Sequence, residues 1–251
     1  GGDPEAGAKV TDVVVNAVDV PVIVKVTAEG VNPIVVSKAV KESGARGLTV
    51  VNRFPALEID LDTGRPLLHS GFAGVGGPWM RPITLKWIAK IAKQVGLPIS
   101  ATNGIATWKD VAKCIMVGAY TVQTCTALMY GKKGYGHISD FLKGLSKFME
   151  EKGYKSLDEM RGITLPQIKT WDTVDRETLN VSKVDTEKCI GCKICRHWCL
   201  YGAISYKPDT GGKEKAYIDP ELCDGCGLCP SLCPQGAIVM EGPDVYLGDF
   251  D

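Results

Sequence analysis

The stretch CIGCKICRHWC, residues 189–199, places four cysteines within eleven residues. The same spacing, C-x-x-C-x-x-C-x-x-x-C, recurs in CDGCGLCPSLC, residues 223–233, which begins 223 − 189 = 34 positions later. Each run has a glycine between its first two cysteines and is followed by Gly-Ala-Ile. This internal duplication indicates one module built from two copies of a single unit, and eight of the ten cysteines belong to it.

Eight clustered thiols can form disulfides, bind zinc or hold iron–sulfur clusters. Disulfides need no regular spacing, and zinc sites usually combine separated pairs of cysteines. Three thiolates spaced by two residues can instead wrap one face of an iron–sulfur cubane, while a fourth comes from elsewhere in the chain. The spacing therefore favours two [4Fe–4S] clusters on Cys189, Cys192, Cys195, Cys199, Cys223, Cys226, Cys229 and Cys233.

The module closely resembles bacterial two-cluster ferredoxins, in which the fourth cysteine of each run ligates the other cluster. The resemblance implies a first cysteine set, Cys189, Cys192, Cys195 and Cys233, and a second cysteine set, Cys223, Cys226, Cys229 and Cys199. Pro234 follows Cys233 as in the ferredoxin pattern, whereas Leu200 follows Cys199. Between the runs, residues 203–219 predict two short strands around an Asp-Thr-Gly-Gly turn.

Composition restricts the partners of the chain. Its 251 residues carry 29 lysines and arginines against 29 aspartates and glutamates, so no excess positive charge is present for nucleic acid or anionic lipid. The most apolar stretch, residues 10–26, is interrupted by charged residues and is too polar to span a bilayer. The opening residues do not form a signal-peptide pattern, and low-potential clusters suit a reducing compartment, so we expect a cytoplasmic protein.

Residues 10–129 alternate short β-branched runs with longer amphipathic runs, which is typical of βα units with parallel strands. We predict strands near residues 22–26, 48–51, 99–101 and 121–123. Four strands fit either an open sheet or half of an eight-stranded barrel whose other half is absent here or lies on another chain.

The predicted fold class is α/β: the C-terminal half of a (β/α)8 TIM-type barrel, followed by a small α+β two-cluster ferredoxin-like domain. The predicted division is a partial flavin-binding barrel at 1–168, a linker at 169–184, the ferredoxin-like domain at 185–241 and a tail at 242–251.

Several predicted strand ends carry groups suited to an anion. Lys25 ends an apolar strand, where an ammonium needs an anion, an electron-rich ring or a structural ion pair. The segments GFAGVGGP at 71–78, ATNGI at 101–105 and QTCTA at 123–127 offer backbone amides in succession. Together they predict a phosphate-binding edge, although Cys125 could equally be a small buried residue.

In this order the motifs resemble the flavin-binding half of the dihydroorotate and dihydropyrimidine dehydrogenase family, over about residues 20–162. The fusion of a two-cluster ferredoxin module at the C-terminal side resembles the dihydropyrimidine dehydrogenase branch of this family. The resemblance implies an FMN-containing barrel that exchanges a hydride with an organic substrate and passes electrons to the clusters. The FMN-binding residues that it implies are Lys25, Asn52, Gly76, Gly77, Asn103, Gly104, Cys125 and Thr126.

The chain departs from this family where the substrate would bind. The family tends to have Thr-Pro-Asn after the strand lysine and Asn-Thr after the next strand, whereas this chain has Thr-Ala-Glu at 27–29 and Asn52-Arg53. These changes alter which groups can be hydrogen-bonded, so we expect a substrate other than a simple pyrimidine. Arg53 could bind a carboxylate or pair with Glu58 or Asp60. The catalytic acid/base of the family belongs to the earlier barrel half, so no catalytic residue is predicted here.

Two functions follow from these patterns. The first is an iron–sulfur flavoprotein oxidoreductase that acts on a CH–CH bond of a small-molecule substrate, beside a second subunit linked to NAD(P)H or ferredoxin. The second is an electron-transfer subunit of a larger redox complex, in which the barrel is a scaffold without its own substrate. Both predict an oligomeric complex with a redox partner.

Overall fold

The computed structural model describes residues 2–68, 71–169 and 180–241. The chain divides into two compact units, residues 1–168 and 169–251. Most of the predicted linker and the whole of the predicted tail lie outside the described residues. No helix in the described part of the chain has both the length and the apolar character needed to cross a membrane.

The first unit alternates helices and strands. Its elements are α1 (Pro4–Ala17), β1 (Ile23–Val26), α2 (Pro33–Glu42), β2 (Gly47–Val50), β3 (Phe54–Ala56), β4 (Ala73–Val75), α3 (Arg81–Gln94), β5 (Ile99–Ala101), α4 (Trp108–Met116), β6 (Thr121–Val122), α5 (Thr126–Tyr130), α6 (Gly136–Lys152) and α7 (Leu157–Met160). Short 3-10 helices lie at Pro78–Met80 and Leu165–Gln167.

Strands β1, β2, β5 and β6 form one parallel sheet in the order β1-β2-β5-β6. The predicted parallel βα pattern is thus confirmed, with strand boundaries that differ by no more than one residue at either end. Every residue of β2 is buried, because this strand lies inside the sheet and helices cover it. The core contains Val26, Leu48, Val50, Ile88 and Ile99.

Local signals explain where the main helices begin. The Asn32 side chain accepts a hydrogen bond from the Ile34 amide at the start of α2, and Pro33 occupies the first turn, where its missing N–H costs nothing. Helix α1 was not predicted from the sequence. Asp3 caps α1 and Pro4 begins it, which is the start signal that the pattern contained.

A small antiparallel hairpin was also absent from the prediction. Strand β3 pairs with β4, with Phe54 opposite Val75 and Ala56 opposite Ala73. The glycine-rich segment expected to be a loop therefore contains a strand. The hairpin follows β2 directly, so it carries Arg53 at one end and Gly76 at the other.

The second unit contains β7 (Val181–Val184), α8 (Ile194–Trp198), β8 (Ile204–Pro208), β9 (Glu214–Ile218), α9 (Leu228–Leu232) and β10 (Ile238–Glu241). The predicted hairpin is confirmed as β8 and β9, and its turn is closed by Asp209, whose carboxylate accepts from the amides of Gly211 and Lys213. Strand β7 pairs with β10, although residues 181–184 were assigned to the linker.

The duplication of the cysteine runs is visible in the backbone. Gly191 and Gly225 have φ of 70° and 65°. A Cβ at Gly191 would lie 2.3 Å from the carbonyl oxygen of Glu214, and one at Gly225 would lie 2.1 Å from that of Asn180, again 214 − 180 = 34 positions apart. Only glycine combines this φ with so close an approach of two backbones. The two halves of the module therefore share one local structure.

Candidate functional site

One cleft of about 590 Å³ opens beside the ends of β1, β4, β5 and β6. Seven of the eight residues predicted to bind FMN line it, and they are Lys25, Gly76, Gly77, Asn103, Gly104, Cys125 and Thr126. They come from four separate parts of the chain. The parallel sheet brings them together because the carboxyl ends of parallel strands meet at one edge.

The eighth predicted residue, Asn52, is placed differently. Its side chain is not part of the cleft lining. Its amide donates to the carbonyl of Val26 at 2.9 Å, and its own carbonyl accepts from the side-chain amide of Asn103 at 3.4 Å. Asn52 thus helps to position Asn103 through its backbone.

Lys25 faces the cleft from β1. The apolar run around it suggested a buried ammonium, but Lys25 is exposed and only Val26 is fully buried in this strand. Within the described residues, Lys25 forms neither an ion pair nor a hydrogen bond. The structural ion pair considered from the sequence is therefore not formed there, and the ammonium is free to meet a ligand.

Arg53 lines the same cleft. Its side chain packs closely over Gly74 in β4 and Gly76 just after β4. A Cβ at Gly74 would lie 3.0 Å from Arg53 Nε. Glu58 and Asp60, the carboxylates suggested as its partners, instead accept from the amide of Ile59 and from Thr63. Among the described lining residues of the cleft, Lys25 and Arg53 are cations and no residue is a carboxylate.

The glycine-rich segments approach each other too closely for side chains. A Cβ at Gly76 would lie 2.5 Å from Asn103 Oδ1, and one at Gly104 would lie 2.5 Å from the amide nitrogen of Arg81. Asn103 and Gly104 both have positive φ, at 82° and 85°. Successive backbone amides in such conformations form concave surfaces that favour anions.

The cleft edge is tied to α3 by a buried ion pair that the sequence analysis missed. Arg81 Nη1 lies 2.8 Å from Asp110 Oδ1, and the Asp110 side chain is 1% exposed. Asp110 Oδ2 also accepts from the amides of Ala106 and Thr107. Burial raises the pKa of Asp110, but these amides, the Thr107 hydroxyl and Arg81 outweigh it and hold the pKa below its ordinary value. The capping-box spacing of Thr107 and Asp110 was the available signal.

The two isolated cysteines differ in character. Cys114 is buried in the core, and burial raises the pKa of its thiol to about 12, so it stays protonated and inert. Cys125 is exposed at the cleft, with its Sγ 3.6 Å from Met129 Sδ. The reading of Cys125 as a small buried residue is therefore wrong.

In the second unit, the whole first cysteine set lines one cavity. Its other walls are largely apolar and include Ile190, Ile194 and Ile238. Backbone amides point at two of the sulfurs, from Ala216 to Cys189 Sγ at 3.5 Å and from Ala237 to Cys233 Sγ at 3.2 Å. Such amides are the usual partners of cluster sulfurs, so the cavity suits a cluster.

In the second cysteine set, Cys223 and Cys226 lie near Cys229, and Cys199 and Cys226 both lie near Tyr201. Burial and then the nearby Cys223 and Cys226 raise the pKa of Cys229, with the Ser182 hydroxyl 3.3 Å from its sulfur. All ten cysteines fall in the described ranges and all are free thiols. No three His, Cys, Asp or Glu side chains of those ranges converge on a single metal ion.

Comparison with known proteins finds a matching family for each of the two units. The family model for dihydroorotate dehydrogenase matches residues 1–149, and that for the 4Fe-4S dicluster domain matches residues 188–237. The catalytic subunit of dihydroorotate dehydrogenase B (NAD(+)) from Methanothermobacter thermautotrophicus is 33% identical over 164 residues, covering 65% of this chain and 54% of that protein.

A second relative extends the similarity into the cysteine module. The NAD-dependent dihydropyrimidine dehydrogenase subunit PreA of Escherichia coli K12 is 31% identical over 210 residues, covering 80% of this chain and 51% of that protein. The chain thus spans about half the length of the curated relatives that it matches. Proteins of the matched family bind FMN, and the dicluster domain binds 4Fe-4S clusters. The chain therefore belongs to the dihydroorotate dehydrogenase family and carries a 4Fe-4S dicluster domain after its α/β unit.

Proposed function

We propose that this chain is the flavin-binding and iron–sulfur part of an oxidoreductase that acts on the CH–CH bond of a small molecule. The observation that carries the proposal is the cleft, in which seven residues suited to FMN meet at one sheet edge; one of them, Lys25, has no partner among the described residues. The names of the relatives, a dihydroorotate dehydrogenase and a dihydropyrimidine dehydrogenase subunit, support this class of reaction.

The parallel sheet is proposed to be the C-terminal half of a (β/α)8 barrel. β1 and β6 are the outer strands of the sheet, and Val20, Ile23 and Tyr120 near them are exposed. Four further βα units would pair with both edges and cover these side chains. They would also supply the acid/base that this part of the chain lacks.

FMN, when bound, would accept or donate a hydride and exchange single electrons. The backbones of Gly76, Gly77 and Gly104 would hold its phosphate. The close packing at Gly76 and Gly104, where an added Cβ would meet neighbouring atoms at 2.5 Å, supports this role because it leaves the backbone amides uncovered by side chains. Lys25 would contact the ring system and stabilise negative charge there. The pocket would be completed by Cys125, which precedes α5, and by Thr126, which begins it.

Arg53 points to a substrate that carries a negative group. The guanidinium lies in the cleft, has no carboxylate partner at Glu58 or Asp60, and could hold a carboxylate through two parallel hydrogen bonds. Replacing Arg53 with methionine should raise KM for an anionic substrate far more than it lowers kcat.

The second unit is proposed to hold two [4Fe–4S] clusters on the first and second cysteine sets. They would carry electrons singly between the flavin and a partner subunit. The names of both relatives include NAD, which supports a partner that exchanges electrons with a nicotinamide nucleotide. The scaffold alternative is not favoured, since it gives no role to Lys25 and Arg53, two cations in a cleft with no carboxylate among its described lining residues.

The test is a cofactor count on the intact native assembly, purified without oxygen. Iron, acid-labile sulfide and acid-released flavin would be measured per copy of this chain. About eight irons with one FMN is the expected result, since each cubane holds four irons. Eight irons without flavin would overturn the enzyme proposal and restore the scaffold alternative.

A further inference from the structure

The duplication within the second unit allows the surroundings of the two cysteine sets to be compared position by position. Besides the two glycines, matched backbone hydrogen bonds relate the halves: Asp185 donates to Ala237 and Asp219 donates to Ala203, with the same 34-residue offset. Under this offset, Tyr206 corresponds to Met240, Lys215 to Val181 and Lys193 to Gly227.

The first cysteine set has a nearly buried cation beside it. The Lys215 side chain is 14% exposed, and its Nζ donates to the carbonyl oxygen of Cys189 at 2.5 Å. Its acidic neighbour Asp209 is 3.7 Å away. Lys193 adds a second cation, although its ion pair with Glu214 is solvent-exposed and therefore screened.

The first set also has a hydroxyl at one of its sulfurs. Tyr206 Oη lies 3.4 Å from Cys195 Sγ. At this distance the phenol hydroxyl can donate a hydrogen bond to the sulfur of a cysteine thiolate.

The second cysteine set lacks both cations. Val181 and Gly227 occupy the positions of the two lysines, and Met240 occupies that of the tyrosine. Ser182 Oγ accepts from Cys229 Sγ at 3.3 Å and donates to Met240 Sδ at 3.0 Å, so its proton is directed at the methionine sulfur. Asp224, next to Cys223, places a carboxylate where the first run has Ile190.

We propose that the two clusters have unequal reduction potentials, with the cluster on the first cysteine set the higher. This rests on the two-cluster part of the proposed function. Reduction adds negative charge, which Lys215 and the Tyr206 hydroxyl stabilise at the first set and which Asp224 opposes at the second. With both clusters bound, one electron would pass from a reduced cluster on the second set to an oxidised cluster on the first, with no bond made or broken.

The experiment is potentiometry followed by electron paramagnetic resonance on the intact assembly, kept anaerobic. Two midpoint potentials are expected. Lys215→Met and Tyr206→Phe should each lower only the higher midpoint potential. For Lys215→Met we expect the equilibrium constant for electron transfer between the clusters to change about tenfold, which corresponds to a shift of about 59 mV in that midpoint. Lys207→Met is the matched control, because Lys207 is exposed on the same hairpin and lies over the Tyr217 ring.

A reciprocal variant assigns the lower potential. Asp224→Asn removes a carboxylate beside the second set and should raise only the lower midpoint. Two equal midpoints in the unaltered protein would overturn the inference, as would a Lys207→Met shift as large as that of Lys215→Met. A count well below eight irons per chain would instead overturn the two-cluster proposal, so the two failures are distinguishable.

Discussion

At the scale of single residues, the cleft depends on groups that are distant in sequence. Arg81 and Asp110 are separated by 110 − 81 = 29 positions, and their ion pair fixes the loop after β5 against the start of α3. Asn103, Gly104 and Gly76 gain their close approach from this arrangement. The positions of the binding groups therefore rest on a residue that does not line the cleft itself.

Replacing Asp110 with asparagine should destabilise the first unit by about 2 kcal/mol at neutral pH, because the hydrogen bonds to a buried carboxylate are charge-assisted. The folded-state pKa of Asp110 is lowered, so its stabilisation is present above the unfolded pKa near 4 and is lost as the pH falls below it. Urea unfolding at several pH values would measure this.

Asp158→Asn is the control for that measurement. Asp158 also pairs with an arginine, Arg161, but its side chain is 79% exposed. An exposed pair contributes little, so we expect a change of roughly 0.5 kcal/mol or less. An Asp110→Asn effect as small as this, or one that persists unchanged into acid, would contradict the role given to Asp110.

Gly76→Ala should weaken FMN binding by about tenfold, or about 1.4 kcal/mol. The added methyl would lie 2.5 Å from Asn103 Oδ1 and would displace that side chain into the cleft. Flavin retained by the assembly after dilution is the measurement. Gly7→Ala, whose methyl would contact Val40 at 3.6 Å, should retain flavin normally. Equal retention in both variants would count against a phosphate site at Gly76.

At the scale of elements, close approaches decide how neighbouring segments pack. Helix α6 lies against α4 through Gly144, and the Trp108 ring covers this glycine while it packs on Phe148 at 5.7 Å. In the second unit, each cysteine run lies against a strand through one glycine, Gly191 or Gly225. These contacts explain glycines that local turn chemistry alone does not require.

Gly144→Ala should destabilise the first unit by about 1–3 kcal/mol through overpacking. The new methyl would lie 2.3 Å from Trp108 Cδ1, which outweighs the better helix propensity of alanine. Thermal unfolding would show the loss. Gly136→Ala, at the first residue of α6, would place its methyl 3.4 Å from Lys133 Cβ, an ordinary contact, and should be neutral or slightly stabilising. A neutral Gly144→Ala would mean that α4 and α6 can move apart freely.

Gly191→Ala should abolish or strongly reduce cluster incorporation, whereas Gly202→Ala should not. Both glycines have positive φ, at 70° and 65°, so both variants bear the backbone cost of roughly 1–2 kcal/mol. Only at Gly191 does the added methyl meet a backbone, the Glu214 carbonyl oxygen at 2.3 Å; nothing lies within 4 Å at Gly202. Iron per chain is the measurement, and equal iron in both variants would contradict the packing argument.

At the scale of the whole molecule, the two units rely on different sources of stability. The first has a core of large aliphatic side chains around its parallel sheet. The buried core of the second contains three cysteines, Cys189, Cys195 and Cys223, and is otherwise made of alanines and isoleucines. So small a core needs a further constraint, and bound metal can supply it.

Removing iron with a chelator should therefore unfold the second unit and leave the first folded. Hydrogen exchange of the intact chain would show protection lost across residues 181–241 and kept in β1, β2, β5 and β6. Reloading iron and sulfide should restore protection in the second unit. Protection that survives iron removal in residues 181–241 would show that the side chains alone sustain this fold.

The sequence by itself determined the chemistry of the second unit and the class of the first. Cysteine spacing is a local property, because ligands two residues apart must wrap a common centre whatever surrounds them. The βα alternation is local as well, since it reflects the periods of strands and helices. Both the parallel sheet and the β8–β9 hairpin followed from these periods.

Only the tertiary structure decided which strand-end residues face the cleft and which groups surround each cysteine set. It placed Arg53 in the cleft and turned Asn52 away from it, although the two are adjacent in sequence. It also paired β7 with β10 and set Lys215 beside Cys189. These outcomes depend on contacts between segments far apart in the chain, which the local periods of strands and helices do not encode.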